Sequence, residues 1–305
     1  MTTATPTATF PKPTYSVGGT VKMYRGDCVP KMQKMPSESV DLIFADPPFN
    51  IGHKYAEHYD KQHWAEYETF TECWLAECVR LLKPGGSMFV HICDEHVAFV
   101  HERLYRGYTL PVGGVDGWWQ VDPLQRVNWV ILHQEFGQYG DSRLIRSKQH
   151  LLWFCKGEYH FNVEEALEPS MRLKMGDKRV KTAKYKGYRP FFDVWCGDSL
   201  GRVQGNNAER WVKKNGALVD HPNQLPELYL ARIIRMASNE GDVVFDPFCG
   251  SGTTATVARK LKRQAVTIDK GQKTLESARK RVQKGTVRDV AGDLVSGGYR
   301  DQHNA

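Results

Sequence analysis

The chain has 305 residues, a formal net charge of +7 and a hydrophobic fraction of 41%. That suits one large α/β domain with modest insertions, with two domains left open. No apolar run approaches the roughly 18–20 residues that cross a bilayer, and Met1-Thr2-Thr3-Ala4 lacks the basic-then-apolar start of a secretory signal, so neither a membrane span nor a signal peptide is expected. The seven cysteines, Cys28, Cys73, Cys78, Cys93, Cys155, Cys196 and Cys249, are scattered and never form a C-x-x-C pair. This argues against a disulfide framework and a zinc site, and for a reduced cytosol.

Residues 1–16, rich in Thr, Pro and Ala, read as a disordered tail. Thr20 to Tyr24 reads as a strand ending at Gly26-Asp27. Val40 to Ala45 is a nearly continuous apolar run, the pattern of a strand buried on both faces of a parallel sheet. Trp64, Tyr67, Phe70, Trp74, Leu75, Cys78, Val79 and Leu82 recur near helical spacing from Gln62 onward, and Lys83-Pro84-Gly85-Gly86 stops that helix. Ser87 to Ile92 is then a strand, and the order strand, helix, strand implies a right-handed crossover.

Residues 106–126 form a Gly-rich insertion carrying Trp118 and Trp119, either a loop over a site or packed decoration. Val127 to His133 and Gln149 to Cys155 read as further strands. Between Met171 and Arg189, eight Lys or Arg stand against the single Asp177. Such a field attracts polyanions; the plainer alternative is a solvated loop. Leu225 to Met236 is amphipathic and helical. A strand (Asp242 to Phe245), helix (Thr253 to Leu261), strand (Gln264 to Ile268) and helix (Thr274 to Gln283) follow, the half of a doubly wound fold that binds nucleotides.

Two motifs carry chemistry. Asp46-Pro47-Pro48-Phe49 closes the first buried run, and Asp246-Pro247-Phe248-Cys249-Gly250-Ser251-Gly252-Thr253-Thr254 closes a later one. In the second, the Lys of a phosphate-binding loop is missing, and Ala255 stands where a dinucleotide fingerprint wants its third Gly. What remains suits S-adenosylmethionine. Asp246 can pair with an ammonium group, Phe248 can pack on an aliphatic chain, Gly250 and Gly252 let the backbone approach a ligand, and Asp269 can take both ribose hydroxyls. In the first motif, the prolines remove amide donors and offer rigid carbonyl acceptors. The Asp46 carboxylate and the Pro47 carbonyl can accept the two N–H donors of an exocyclic amine, drawing its lone pair out of conjugation. Phe49 supplies a stacking face for an extruded base.

The segment from Gly26 to Gly52, the Leu81 to Val90 stretch, the strand pair at 127–156, Asp193-Val194-Trp195 and residues 221–284 resemble the beta-arranged amino-group DNA methyltransferases, which act on adenine N6 or cytosine N4. The resemblance implies a doubly wound, mostly parallel, seven-stranded Rossmann-like sheet, circularly permuted so that the catalytic motif comes first. Between the disordered tail at 1–16 and a flexible tail expected at 289–305, it implies a catalytic half at 17–160 with the 106–126 insertion, a small target-recognition region at 161–210 and a cofactor half at 211–288. His221, Pro222 and Gln224 are then expected at the methionine end of S-adenosylmethionine, Asp27 near its adenine, and Thr253 beside the glycines.

DNA is the expected partner, held by Arg172, Lys178, Arg179, Lys181, Lys184 and Lys186 with Tyr185 and Tyr188, or else by the Trp118-Trp119 insertion. A homodimer and a restriction endonuclease partner both fit the resemblance, as does a cytoplasmic, prokaryotic or phage-encoded protein. Leu132 stands where this family often has Trp, which leaves Trp129, His133 or Phe136 to cover the second face of the base. Asp at the head of the motif favours adenine N6. Cytosine N4, an RNA substrate and a silent DNA-binding subunit are the alternatives, and protein glutamine methylation is disfavoured because its motif usually starts with Asn.

Overall fold

The computed structural model describes residues 9–52, 59–111, 118–133, 142, 144–196, 209, 211 and 223–290. In chain order the first elements are β1 (Tyr15–Val17), β2 (Val21–Arg25), α1 (Cys28–Met32), β3 (Val40–Ala45), α2 (Trp64–Leu81), β4 (Leu82–Ile92), α3 (Val97–Arg106), β5 (Tyr108–Pro111) and β6 (Trp118–Val121). Next come β7 (Gln125–His133), β8 (Lys148–Cys155), β9 (Leu167–Pro169), α4 (Met171–Lys174), β10 (Tyr188–Pro190) and β11 (Val194–Trp195). The last described elements are α5 (Glu227–Ala237), β12 (Val243–Asp246), α6 (Thr253–Lys260), β13 (Gln264–Asp269) and α7 (Gln272–Lys284).

The apolar run of β3 lies at the centre of the sheet because neither of its faces meets water. Leu42 and Phe44 pack among residues of α5, α6 and α7, while Ile43 and Ala45 pack among residues of α1, α2 and α3. Helices therefore cover both faces, as in a doubly wound fold. The strand order is β1-β2-β13-β12-β3-β4-β8-β7-β11. The run from β2 through β13, β12 and β3 to β4 is parallel, and β8 is antiparallel to both of its neighbours. Among the described residues the main sheet has nine strands where seven were expected. The additions are the edges: β1, three residues long, and β11, two residues long.

The expectation of a disordered tail over 1–16 fails from residue 9 onward. Tyr15–Val17 pairs with β2, the Tyr24 hydroxyl donates to the Pro11 carbonyl at 2.8 Å, and Lys22 sits 5.0 Å over the Phe10 ring. At the other end Val290 is fully buried, so the expected tail from 289 is anchored at its start; 291–305 lie outside the described residues. The described parts of the 106–126 insertion, 106–111 and 118–126, are packed decoration; 112–117 lie outside the described residues. Its β5 and β6 pair as a hairpin, Leu110, Val121 and Leu124 are buried, and Trp118 is 72% exposed. Helix α3 is an addition to the sequence reading; its buried residues are Val97, Val100 and Leu104. The basic segment is folded as well: β9 and β10 pair antiparallel, with α4 and a 3-10 turn at Lys178–Thr182 between them.

Candidate active site

Four neighbouring parallel strands deliver four acids to one edge of the sheet. Gly26-Asp27 follows β2, Asp269 ends β13, Asp246 ends β12 and Asp46 follows β3. This is the carboxyl-terminal edge, where ligands bind in open α/β sheets. Two clefts open there. One, of about 190 Å³, is lined by Asp27, Asp46, Pro48, Phe248, Gly250 and Asp269 among others. The second, of about 120 Å³, is lined by Asp46, Pro47, Phe49, His91, Gln149, Asp246 and Thr253 among others. Asp46, Asp60, Phe248 and Gly250 line both. Residues 200 positions apart in sequence thus share one wall, because β3 and β12 are adjacent, with Phe245 opposite Ile43.

The first motif is held rigidly from outside. The Tyr67 hydroxyl donates to the Pro48 carbonyl at 2.9 Å, and His96 Nε2 lies 2.7 Å from the Phe49 carbonyl. A carbonyl only accepts, so the His96 proton is on Nε2. Among the described residues the Pro47 carbonyl accepts no hydrogen bond, and it is the acceptor the sequence singled out. Asn50, at φ +54°, clamps the Gln62 backbone through both amide atoms. The Phe49 and His91 rings lie 6.1 Å apart.

In the second motif Asp246 is 4% exposed. Burial pushes its pKa up to about 6, against the opposing hydrogen bonds from Thr254 and the Phe248 amide. No cation faces it among the described residues. Phe248 meets Trp74 edge-on at 5.3 Å and Phe70 at 6.3 Å, so α2 fixes its ring. The two glycines do different work. Gly250 lines both clefts and donates its amide to Asp269 at 2.9 Å. Gly252, at φ +78°, lines neither; a Cβ there would lie 2.9 Å from the Ala278 Cβ, so the residue permits close packing of α6 on α7. Asp269 also accepts the Gly271 amide at 2.8 Å.

Other expected residues fall elsewhere. Asp27 lines the first cleft and caps α1 through the Val29 amide. Gln224 is 3% exposed and lines neither cleft; its amide ties the Glu209 carbonyl and the Trp211 N–H. His221, Pro222 and Phe136 lie outside the described residues. Trp129 stacks on His101 and donates to His150, Leu132 is core, and His133 is exposed; none of the three lines either cleft. Arg172, Lys178, Arg179, Lys181, Lys184, Lys186 and Tyr188 are exposed, and Tyr185 is half-buried. None lines either cleft. Arg179 is paired with Asp177 at 2.7 Å, and Lys184 sits 4.9 Å over the Tyr185 ring. Sequence reasoning missed His91, Gln149, Tyr67 and His96; the available signal was a His inside the apolar strand from Met88 to Ile92.

A sheet wound on both faces, with acids converging on a split cleft at its carboxyl edge, is an open α/β fold with its candidate ligand site where such sheets place one. A family model for N6/N4 methyltransferases, described as DNA methylase, matches residues 40–280, and the chain belongs to that family. Type II methyltransferase M.BamHI of Bacillus amyloliquefaciens is 32% identical over 261 residues, covering 82% of this chain and 54% of that protein. Type II methyltransferase M.HinfI of Haemophilus influenzae is 31% identical over 277 residues, covering 85% and 67%. The chain thus spans about half the length of the M.BamHI relative. Among solved structures, PvuII DNA methyltransferase (cytosine-N4-specific) matches with a TM-score of 0.60 at 17% identity, covering 94% of this chain and 96% of that one. The M1.HpyAVI–SAM complex matches with a TM-score of 0.54 at 20% identity, covering 86% and 98%. At these identities the likeness is one of fold.

Proposed function

We propose that the protein is an S-adenosylmethionine-dependent DNA methyltransferase acting on the N6 amino group of adenine. The observation that carries this reading is the position of Asp46, which lines both the cleft of the cofactor motif and the cleft of the base motif. The donor set fits the cofactor. Asp246 is a buried carboxylate with no cation facing it among the described residues, which suits a ligand ammonium; Asp27 and Asp269 line the cleft where a ribose and adenine would lie. The M1.HpyAVI neighbour is a complex with SAM.

When bound, S-adenosylmethionine would supply an electrophilic methyl group and be left as a neutral thioether; the methylated nitrogen is cationic until it sheds one proton to become the secondary amine. The chain's own residues prepare the acceptor. The target base is flipped out of the stack and rests against Phe49. The Asp46 carboxylate and the Pro47 carbonyl each accept one amine N–H, so the nitrogen lone pair points away from the ring and along the line of attack. Asp46 is the acceptor beside the amine for the released proton. Asp at the head of the motif favours adenine. Cytosine N4 is the second reading, favoured by the cytosine-N4-specific description of the PvuII neighbour.

The same reading assigns the catalytic half to 17–160, target recognition to 161–210 and cofactor binding to 211–288. With the catalytic motif first, the domain is circularly permuted. The type II names of the relatives support a restriction endonuclease partner in the cell. The acceptor polymer tests the proposal: labelled methyl should pass to unmodified bacterial genomic DNA and not to total RNA. Transfer to RNA alone, or to neither, contradicts it.

Cofactor affinity should depend on pH through Asp246. An ammonium needs the ionised carboxylate, so affinity should fall about tenfold per unit below pH about 6. The unliganded fold responds in the opposite sense. The folded-state pKa is raised, so the folded form binds more protons, and this group's contribution to stability rises as pH falls through about 6. Calorimetric titration and thermal melts from pH about 8 to about 5 read both trends, and Asp246→Asn should flatten both. Affinity that is level across that range speaks against ammonium pairing.

The exposed lysines of the basic segment are proposed as phosphate contacts. Replacing Lys178, Lys181 and Lys184 by Gln should weaken DNA binding on all sequences and lower the slope of log K against log salt by roughly 0.9 per lost contact. Cofactor affinity should not change. A wild-type slope in the triple variant would assign this segment to solvent.

A further inference from the structure

His91 and Gln149 line the second cleft beside Asp46 and Phe49, and the chemistry above uses neither. They face each other across β4 and β8, where His91 pairs with Leu151. His91 is 3% exposed, and behind it Tyr229 is fully buried. The Tyr229 hydroxyl lies 3.2 Å from His91 Nδ1. A buried hydroxyl proton needs an acceptor, and Nδ1 is the one it faces. Nδ1 therefore accepts, which places the imidazole proton on Nε2. Nε2 lies 3.0 Å from Gln149 Oε1, so it donates to the amide oxygen. Burial lowers the His91 pKa to about 4, which keeps the ring neutral and the relay in one orientation at working pH. With its oxygen committed to His91, Gln149 meets a ligand with its NH₂ end, a donor.

We propose that Gln149 determines base specificity by donating an amide N–H to the ring nitrogen beside the target amine, with His91 and Tyr229 as the positioning residues that fix its orientation. The proposal rests on the methyltransferase reading and deepens it. Adenine and cytosine carry an exocyclic amine next to an unprotonated ring nitrogen, a donor next to an acceptor. Guanine and thymine carry a carbonyl next to a ring N–H at the corresponding edge. Acceptors at Asp46 and Pro47 together with a donor at Gln149 match the first edge and oppose the second. Discrimination of this kind is strong, because the wrong base leaves buried polar groups unpaired.

The test uses the full chain, S-adenosylmethionine and unmodified bacterial genomic DNA, which holds every short target sequence. Gln149→Glu keeps the shape, but at neutral pH it replaces the donor with an acceptor. Its kcat/KM should fall about a hundredfold, with cofactor affinity unchanged. A protonated Glu regains an O–H donor, so the activity ratio of variant to wild type should rise as pH falls. Asp46, Asp60 and Asp246 in the cleft, and Lys148, His150, His91 and Asp94 on and beside β8 and β4, are the charged and titratable groups nearby; all are retained in both variants, and Gln149→Met separates their contribution from that of the new carboxyl. Gln149→Met has no donor at any pH, and its ratio should stay low and level. Equal turnover by wild type and Gln149→Glu, or a ratio for Gln149→Glu as level as that for Gln149→Met, overturns this proposal alone. No transfer by the wild type overturns it together with the methyltransferase reading.

Discussion

Replacing Asp46 with Ala should lower methyl transfer by about 10²–10⁴-fold, because the acceptor that orients and deprotonates the amine is lost. Asp46 lines both clefts but belongs to the loop proposed as catalytic, whereas Asp246 and Asp269 end the strands proposed to hold the cofactor. Cofactor affinity should therefore change little, and the loss should appear in kcat. The surrounding carbonyl ties from Tyr67 and His96 remain in the variant, so the loop keeps its shape and the effect reads on chemistry. Wild-type turnover in single-turnover assays would remove Asp46 from the mechanism.

The largest stability loss is expected at Arg281→Met. Arg281 and Glu227 form an ion pair at 3.2 Å with side chains 2% and 0% exposed. Arg281 also donates to the Thr253 hydroxyl at 2.7 Å and the Ser251 hydroxyl at 3.1 Å, so it braces the glycine loop from α7. Glu227 keeps the amides of Val287 and Arg288 at 2.8 Å each, but without Arg281 its charge stays buried and only partly compensated. Breaking such a pair from one side costs about 3–5 kcal/mol, which denaturant unfolding should register as a lower midpoint at unchanged slope. Glu227→Met added to Arg281→Met should recover much of the loss, since replacing both charges by apolar groups leaves none stranded. A single variant as stable as the wild type would show the pair to be dispensable.

What was legible in the sequence follows from how local its cause is. The strands β3, β12 and β13 are largely apolar runs closed by an acid, and the sequence places each to within a residue or two because burial on both faces leaves a nearly continuous apolar pattern. Helix α3 escaped because its buried positions are only Val97, Val100 and Leu104, a thin stripe in a polar segment. The edge strands β1 and β11 are too short to show any period. Within the site, both motifs were visible as strings. The division of labour between Gly250 and Gly252 was not, since it depends on Ala278, a residue of a later helix. The relay from Tyr229 through His91 to Gln149 joins three distant segments, and no local pattern announces it.

The most direct test of the central claim is the identity of the product. The protein should be incubated with labelled S-adenosylmethionine and unmodified bacterial genomic DNA, the DNA digested to nucleosides, and the labelled nucleoside identified by mass spectrometry. The account predicts N6-methyladenine from the wild type and almost none from Asp46→Ala. Label in N4-methylcytosine would overturn the choice of base, and label in 5-methylcytosine, or in no nucleoside, would contradict the amino-group mechanism built on Asp46 and Pro47.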